Sequence, residues 1–179
     1  MLKGTLITSR LLLKEAIHEE CSKLKSVLHT WTDKQLVEGS GYESEEFEKW
    51  ISEGDLPPIE NACKENYRLK SIYLKEESKL IGYTGLYMGY PAKDCLWIGI
   101  LVIDSGYRKN GYAQEIISRI SDDAGANGFS KLGIAVYLNN WRALRFWTKA
   151  GFDRVTGISC DGEYEEEKFA TIKLQKELL

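Results

Sequence analysis

The sequence predicts a mixed α/β domain whose sheet begins antiparallel. Three observations carry this. Residues 15–64 repeat their apolar side chains at helical spacing, the pattern turns strand-like near residue 66, and two amphipathic helical stretches then separate the later strand-like runs. The predicted order is a strand, helices, three strands, a helix, a strand, a helix and two strands.

Leu6 to Leu13 (LITSRLLL) is a short apolar run that reads as one strand. Ile17, Cys21, Leu24, Val27 and Leu28 recur at helical spacing, as do Phe47, Trp50 and Ile51 after a Ser44 cap, and Pro57-Pro58 ends that region. Arg68–Lys75 and Leu80–Tyr90 flank the polar turn Glu76-Glu77-Ser78-Lys79, a hairpin pattern. Cys95–Ile103 is continuously apolar and predicts a central strand buried on both faces. Gly111–Asn127 predicts a helix with Ile116, Ile117, Ile120 and Ala124 as its apolar stripe and Gly128 as its stop. Leu132–Leu138 follows as a strand and Asn140–Ala150 as a helix closed by Gly151. Asp153–Cys160 and Glu165–Leu174 form the last two strands, meeting at Asp161-Gly162.

A chain of 179 residues with 43% hydrophobic and 28% charged residues fits one globular domain spanning 1–179 and excludes intrinsic disorder. Its longest apolar run, Cys95 to Ile103, is about half the roughly 18 residues a membrane span needs. The first ten residues carry no apolar secretion segment, so the expected location is the cytoplasm and no membrane partner is expected. A net charge of −3 argues against a general nucleic-acid surface. Cys21, Cys63, Cys95 and Cys160 are too scattered for zinc-ligand spacing, and His18 and His29 are the only histidines, so no metal site and no histidine-based triad is expected.

The segment most informative about chemistry is Ile98–Ile117, IGILVIDSGYRKNGYAQEII. An apolar strand runs through Arg108-Lys109-Asn110-Gly111-Tyr112-Ala113 directly into a helix. Helix N-termini carry unpaired N–H groups and a partial positive charge, which favour a phosphate. Gly111 and the small Ala113 let a diphosphate approach the backbone, while Arg108 and Lys109 add charge. A solvated surface turn before a helix would show the same residues, so the segment needs a companion. Residues 132–152, LGIAVYLNNWRALRFWTKAGF, supply it with a strand, Asn140, Ala143, paired aromatics and a Gly-Phe exit.

Together the two segments resemble the GNAT superfamily of N-acetyltransferases. Arg108-x-x-Gly111-x-Ala113 matches the family's pyrophosphate motif, and Asn140-x-x-Ala143…Lys149-x-Gly151-Phe152 its following strand–helix motif. The resemblance implies the GNAT fold: a central mixed, mostly antiparallel sheet of about seven strands flanked by about four helices. It covers residues 67–175 by motif and 1–66 by element order, giving an acceptor side (1–66) and an acetyl-CoA-binding core (67–179). It further implies acyl transfer from acetyl-CoA to an amine, without metal. Leu101, Val102 and Ile103 would then bind the pantetheine arm and stabilise the oxyanion through their backbone, Lys109, Asn110 and Tyr112 would share the diphosphate loop, and Asn140 and Trp147 would line the cofactor site.

Some residues depart from the family pattern. Ser105 stands where proline is common. The thiolate-protonating tyrosine would fall at position 147, which is Trp147, and an indole N–H is no acid at neutral pH. Tyr137 and Tyr112 lie near in sequence, and Tyr137 is the catalytic candidate. Between Cys95 and Ile103 there is no carboxylate, only Asp94 before and Asp104 after. An alternative reading is therefore a catalytically silent acyl-CoA-binding sensor or interaction module. A dinucleotide-binding oxidoreductase is excluded, because residues 106–113 read GYRKNGYA rather than G-x-G-x-x-G.

Residues 38–60 hold eight acids (Glu38, Glu43, Glu45, Glu46, Glu48, Glu53, Asp55 and Glu60) against Lys49. Such a stretch attracts a cationic amine acceptor, or is simply a solvated helix face. Trp50 fits the apolar stripe and reads as core, whereas Trp31 follows its helix. The expected assembly is a monomer or homodimer.

Overall fold

A computed structural model describes residues 2, 4–38, 46–160 and 170–178. Eight strands form one sheet in the order β1-β2-β3-β4-β5-β6-β8-β7. They are β1 Leu6–Ile7, β2 Leu11–Glu15, β3 Tyr67–Leu74, β4 Lys79–Met88, β5 Cys95–Ile103, β6 Lys131–Tyr137, β7 Arg154–Ser159 and β8 Thr171–Glu177. All neighbours are antiparallel except β5 and β6. The helices are α1 Cys21–His29, α2 Lys34–Glu38, α3 Glu46–Ser52, α4 Tyr112–Ala126 and α5 Trp141–Lys149.

The helices divide between the two faces of the sheet. Ile116, Ile117, Ile120 and Ala124 of α4 and Trp147 of α5 pack with Leu96, Ile98, Leu132 and Ile134. Leu24, Val27 and Leu28 of α1 and Phe47 of α3 pack with Tyr67, Leu69, Tyr83 and Val102 on the other face. Trp50 packs against this second cluster, its ring 5.2 Å from Phe47, so its apolar-stripe position does mark core.

Three expectations are corrected. LITSRLLL is two strands, because Thr8 turns the chain: its hydroxyl accepts from Leu11 N–H at 2.8 Å, and its own N–H donates to Leu11 C=O at 3.0 Å. This raises the strand count to eight. The last strand spans Thr171–Glu177, running three residues past the expected end at Leu174, and it inserts between β6 and β7; the expected start at residues 165–169 lies outside the described residues. Strand β5 is buried at both ends and open in the middle: Gly99 is exposed, and Ile100 and Leu101 are half-buried. The Asp161-Gly162 turn and the Ser44 cap lie outside the described residues, as do Glu43 and Glu45.

The opening of β5 has a cause in the strand register. Its pairing with β6 covers only Cys95–Lys131, Leu96–Leu132 and Trp97–Gly133. On its other edge Gly85 pairs with Ile100 but Leu86 pairs with Ile98, which leaves Gly99 as a one-residue bulge. A bulge bends its strand and increases its twist. Thus β5 leaves β6 immediately after Trp97, and the two strands diverge toward their C-terminal ends.

Candidate active site

Three features meet around the diverging ends of β5 and β6. The first is the loop at the end of β5. Lys109 and Gly111 both have left-handed backbones, with φ of 65° and 79°. Left-handed residues that alternate with right-handed ones turn successive N–H groups into a concave nest that suits anions. Gly111 is the N-cap of α4 and provides no side-chain cap, so the first-turn N–H groups of α4 remain available. Arg108 Nε donates to Ile103 C=O at 2.8 Å, fixing the loop to the strand end. The Asn110 amide donates to Tyr107 and Arg108 carbonyls at 3.2 and 3.3 Å, which fixes the loop internally.

Arg10, which the sequence did not mark, braces this loop from the β1–β2 turn. Its Nη1 donates to Asn110 C=O at 3.0 Å, its guanidinium lies 4.5 Å from the Tyr112 ring centroid, and its Nη2 meets Glu115 at 2.7 Å. Tyr112 is therefore engaged as a stacking platform. Burial pushes the Glu115 carboxyl up, but hydrogen bonds from Thr8, Arg10 and Ser9 outweigh it and bring the pKa down to about 2. Only the interruption of an apolar run by an arginine could have drawn attention to Arg10.

The second feature is the gap itself. Leu101, Val102 and Ile103 pair with Thr84, Tyr83 and Gly82 on β4, and none has a partner on β6. The strand edge facing β6 is therefore available to a bound chain along this stretch. Tyr137 is half-buried at the end of β6, and Asn140 caps α5 by accepting from Ala143 N–H at 3.0 Å. Trp147 is buried, with its ring edge-on to Phe146 and Phe152 at 5.0 Å from each. The flanking acids serve the fold: Asp94 accepts from Ser130 and Lys131 at 2.6 and 3.0 Å, and Asp104 accepts from Gly106 N–H at 2.9 Å.

The third feature lies over the bulge, on the face covered by α1 and α3. A cleft of about 350 Å³ is lined by Asp55, Pro57, Tyr67, Tyr90, Trp97 and Lys173, among others, with Gly85 and Gly99 beneath. Among the described acids of the 38–60 stretch, Asp55 lines this cleft, while Glu48 is paired with Lys25 at 2.9 Å. Among the described residues, no group of three histidine, cysteine or acidic side chains is arranged to hold a metal ion, and no helix is long and apolar enough to cross a membrane.

Known proteins share this arrangement of strands. The sequence model of the acetyltransferase (GNAT) family matches residues 24–152. No curated protein sequence matches the chain. Among solved structures, the acetyltransferase (GNAT family) from Bacillus anthracis superposes with a TM-score of 0.71 at 14% identity, over 96% of each chain. An acetyltransferase from Thermus thermophilus gives 0.70 at 19% identity, covering 97% of this chain and 99% of its own. Spermidine N-acetyltransferase from Vibrio cholerae, solved with CoA and spermine, gives 0.69 at 15% identity over 95% of this chain and 96% of its own. At these identities the structural likeness establishes the fold.

Proposed function

The chain belongs to the GNAT acetyltransferase family, and on that premise we propose that it is an acetyl-CoA-dependent N-acetyltransferase acting on a primary amine of a small molecule, peptide or protein. Acetyl-CoA, the family's co-substrate, supplies an activated acyl group. The observation that carries the reading is the parting of β5 from β6 after Trp97, with the uncapped, glycine-led N-terminus of α4 following β5 in the chain.

The residues fit that co-substrate. The N–H groups of 109–113 and the first turn of α4 hold the diphosphate, and Arg108 and Lys109 add positive charge. The β6-facing backbone of Leu101, Val102 and Ile103 holds the pantetheine arm. A backbone N–H in this stretch meets the oxyanion as charge develops on the acyl oxygen. Such fixed donors need no reorganisation during the reaction. Asn140 and Trp147 shape the α5 side. Tyr137, at the C-terminal end of β6, is the candidate acid for the leaving sulfur. Residues 1–66 carry the acceptor side and 67–179 the co-substrate core, within one domain.

The acceptor arrives as a cation, since most amines are protonated near neutral pH. The acidic stretch at 38–60 draws it toward the mouth of the site. An amine panel tests this reading: free thiol should appear from acetyl-CoA when a primary amine is supplied, and not with the corresponding alcohols. Equal thiol release with alcohols or with buffer alone would refute it.

A further inference from the structure

The cleft over the β5 bulge contains two polar groups that the fold does not use. Asp55 makes no hydrogen bond or ion pair among the described residues. Its side chain reaches over Gly99, with Oδ2 lying 3.7 Å from the point where a Cβ on that glycine would sit. The Tyr67 hydroxyl is the second group. Tyr67 is 2% exposed, and its buried oxygen has no hydrogen-bond partner. That oxygen occupies space that any side chain at Gly85 would take, 2.9 Å from the Cβ position. Leaving a buried polar atom unpaired is unfavourable, and a ligand that bonds to it relieves that cost.

Two glycines thus form the floor, and an unpaired carboxylate and an unpaired hydroxyl stand over it. The floor is the bulge at which β5 leaves β6. We propose that Asp55, with the Tyr67 hydroxyl beside it, receives the acceptor's ammonium group and takes the proton that must leave before the nitrogen can attack. This rests on the acetyltransferase reading above and supplies the base that β5 itself lacks.

The step balances as follows. Asp55 removes one proton from the ammonium. The freed nitrogen lone pair forms the C–N bond while the acyl C–S bond breaks and its electron pair leaves on sulfur. Tyr137 gives its proton to that sulfur and regains one from the nitrogen's second proton, giving an amide and a free thiol, and Asp55 returns its proton to water.

The two polar groups have distinct roles. Asp55 is exposed at the mouth of the cleft, and the partial desolvation of its carboxylate over the cleft floor raises its pKa. A carboxylate raised in this way is a better base near neutral pH. Burial, and then the Asp55 charge, push the Tyr67 phenol up, so it stays protonated and acts as a hydrogen-bonding post. Tyr90 and Trp97, with ring centroids 4.9 Å apart, give the cleft aromatic faces for a cation and its apolar stem. Lys173 on the β8 side disfavours a second positive charge. The acceptor class is therefore a compact monoamine with an apolar stem.

Among the described residues, the other titratable groups toward the cleft are Tyr87 from β4 and Lys64. Lys64 packs behind Gly54, with its ammonium 5.0 Å from the Tyr67 ring centroid.

The test uses 2-phenylethylamine, with 2-phenylethanol as its neutral counterpart, and the variants Asp55→Asn and Tyr67→Phe. Calorimetry on CoA-saturated protein at pH 7 should show the ammonium binding at least tenfold more tightly than the alcohol, and Asp55→Asn should abolish that preference. The kcat/KM of the wild type should rise to a plateau as Asp55 ionises. In Asp55→Asn it should fall at least ~100-fold at pH 7 and climb tenfold per pH unit toward the pKa of the amine. Tyr67→Phe should weaken ammonium binding while retaining the plateau. Because Asp55 bonds to nothing in the fold, Asp55→Asn should keep its melting temperature and CoA affinity. Activity within threefold of wild type, an unchanged pH profile, or equal binding of amine and alcohol would overturn the role of Asp55 and leave the acetyltransferase reading standing. A wild type that binds no CoA would overturn both.

Discussion

Glu115 links the β1–β2 turn to the first turn of α4, and replacing it by glutamine isolates the value of its charge. The carboxylate accepts from Ser9 Oγ and Arg10 N–H at 2.9 Å and from Arg10 Nε at 2.7 Å. Its side chain is 16% exposed against 46% for Arg10. Desolvation opposes ionisation, yet the hydrogen bonds win and lower the pKa from 4.5 to about 2. Each tenfold change in proton affinity is worth about 1.4 kcal/mol, so the interval corresponds to roughly 3 kcal/mol as an upper bound. Half-exposure of Arg10 screens the pair and reduces this to roughly 1–2 kcal/mol. A depressed acid pKa stabilises the fold fully above the unfolded value and loses its effect as pH falls through the folded one. Urea unfolding of wild type and Glu115→Gln should therefore differ by ~1–2 kcal/mol at pH 7. That gap should begin to close below about pH 4.5 and vanish only below about pH 2. A gap that is absent at pH 7, or that does not change with pH, would refute the electrostatic argument.

Gly111→Val places a β-branched side chain at a φ of 79°, and its bulk would occupy the approach to the loop amides. Calorimetry should show CoA affinity falling sharply in the folded variant; unchanged affinity would remove the diphosphate assignment. Tyr137→Phe should lower kcat at least ~10-fold and remove the alkaline limb of the pH–rate profile. Trp147→Phe, whose indole supplies no titrating proton, should keep most of its kcat, and a full loss would give Trp147 a role in the chemistry.

The central half of the fold was legible because its signals are local. The apolar stripe of α4, the Gly151 stop after α5, the hairpin of β3 and β4 and the glycine-led helix start all follow from residues adjacent in sequence. The Thr8 turn escaped notice because Thr8-Ser9-Arg10 carries neither glycine nor proline, and two hydrogen bonds to Leu11 do the turning. The opening of β5 was hidden for a different reason. Continuous apolarity predicts burial on both faces, whereas the bulge at Gly99 depends on how β4 and β5 align. Asp55 was one acid among eight in its stretch, and nothing local separates it from solvated neighbours such as Glu53. It stands out only when a strand 44 residues further along the chain places Gly99 beneath it. Arg10 reaches a loop about a hundred residues away, a contact that spacing rules cannot show.

The most direct test of the central claim follows both products of one reaction. Acetyl-CoA is incubated with the protein and the best amine from the panel, while free thiol is quantified by colorimetry and acetylated amine by mass spectrometry over the same time course. The account predicts that the two accumulate in equal amounts, with the acetyl group on nitrogen. Tight CoA binding with neither product formed, or thiol released without acetylated amine, would contradict it.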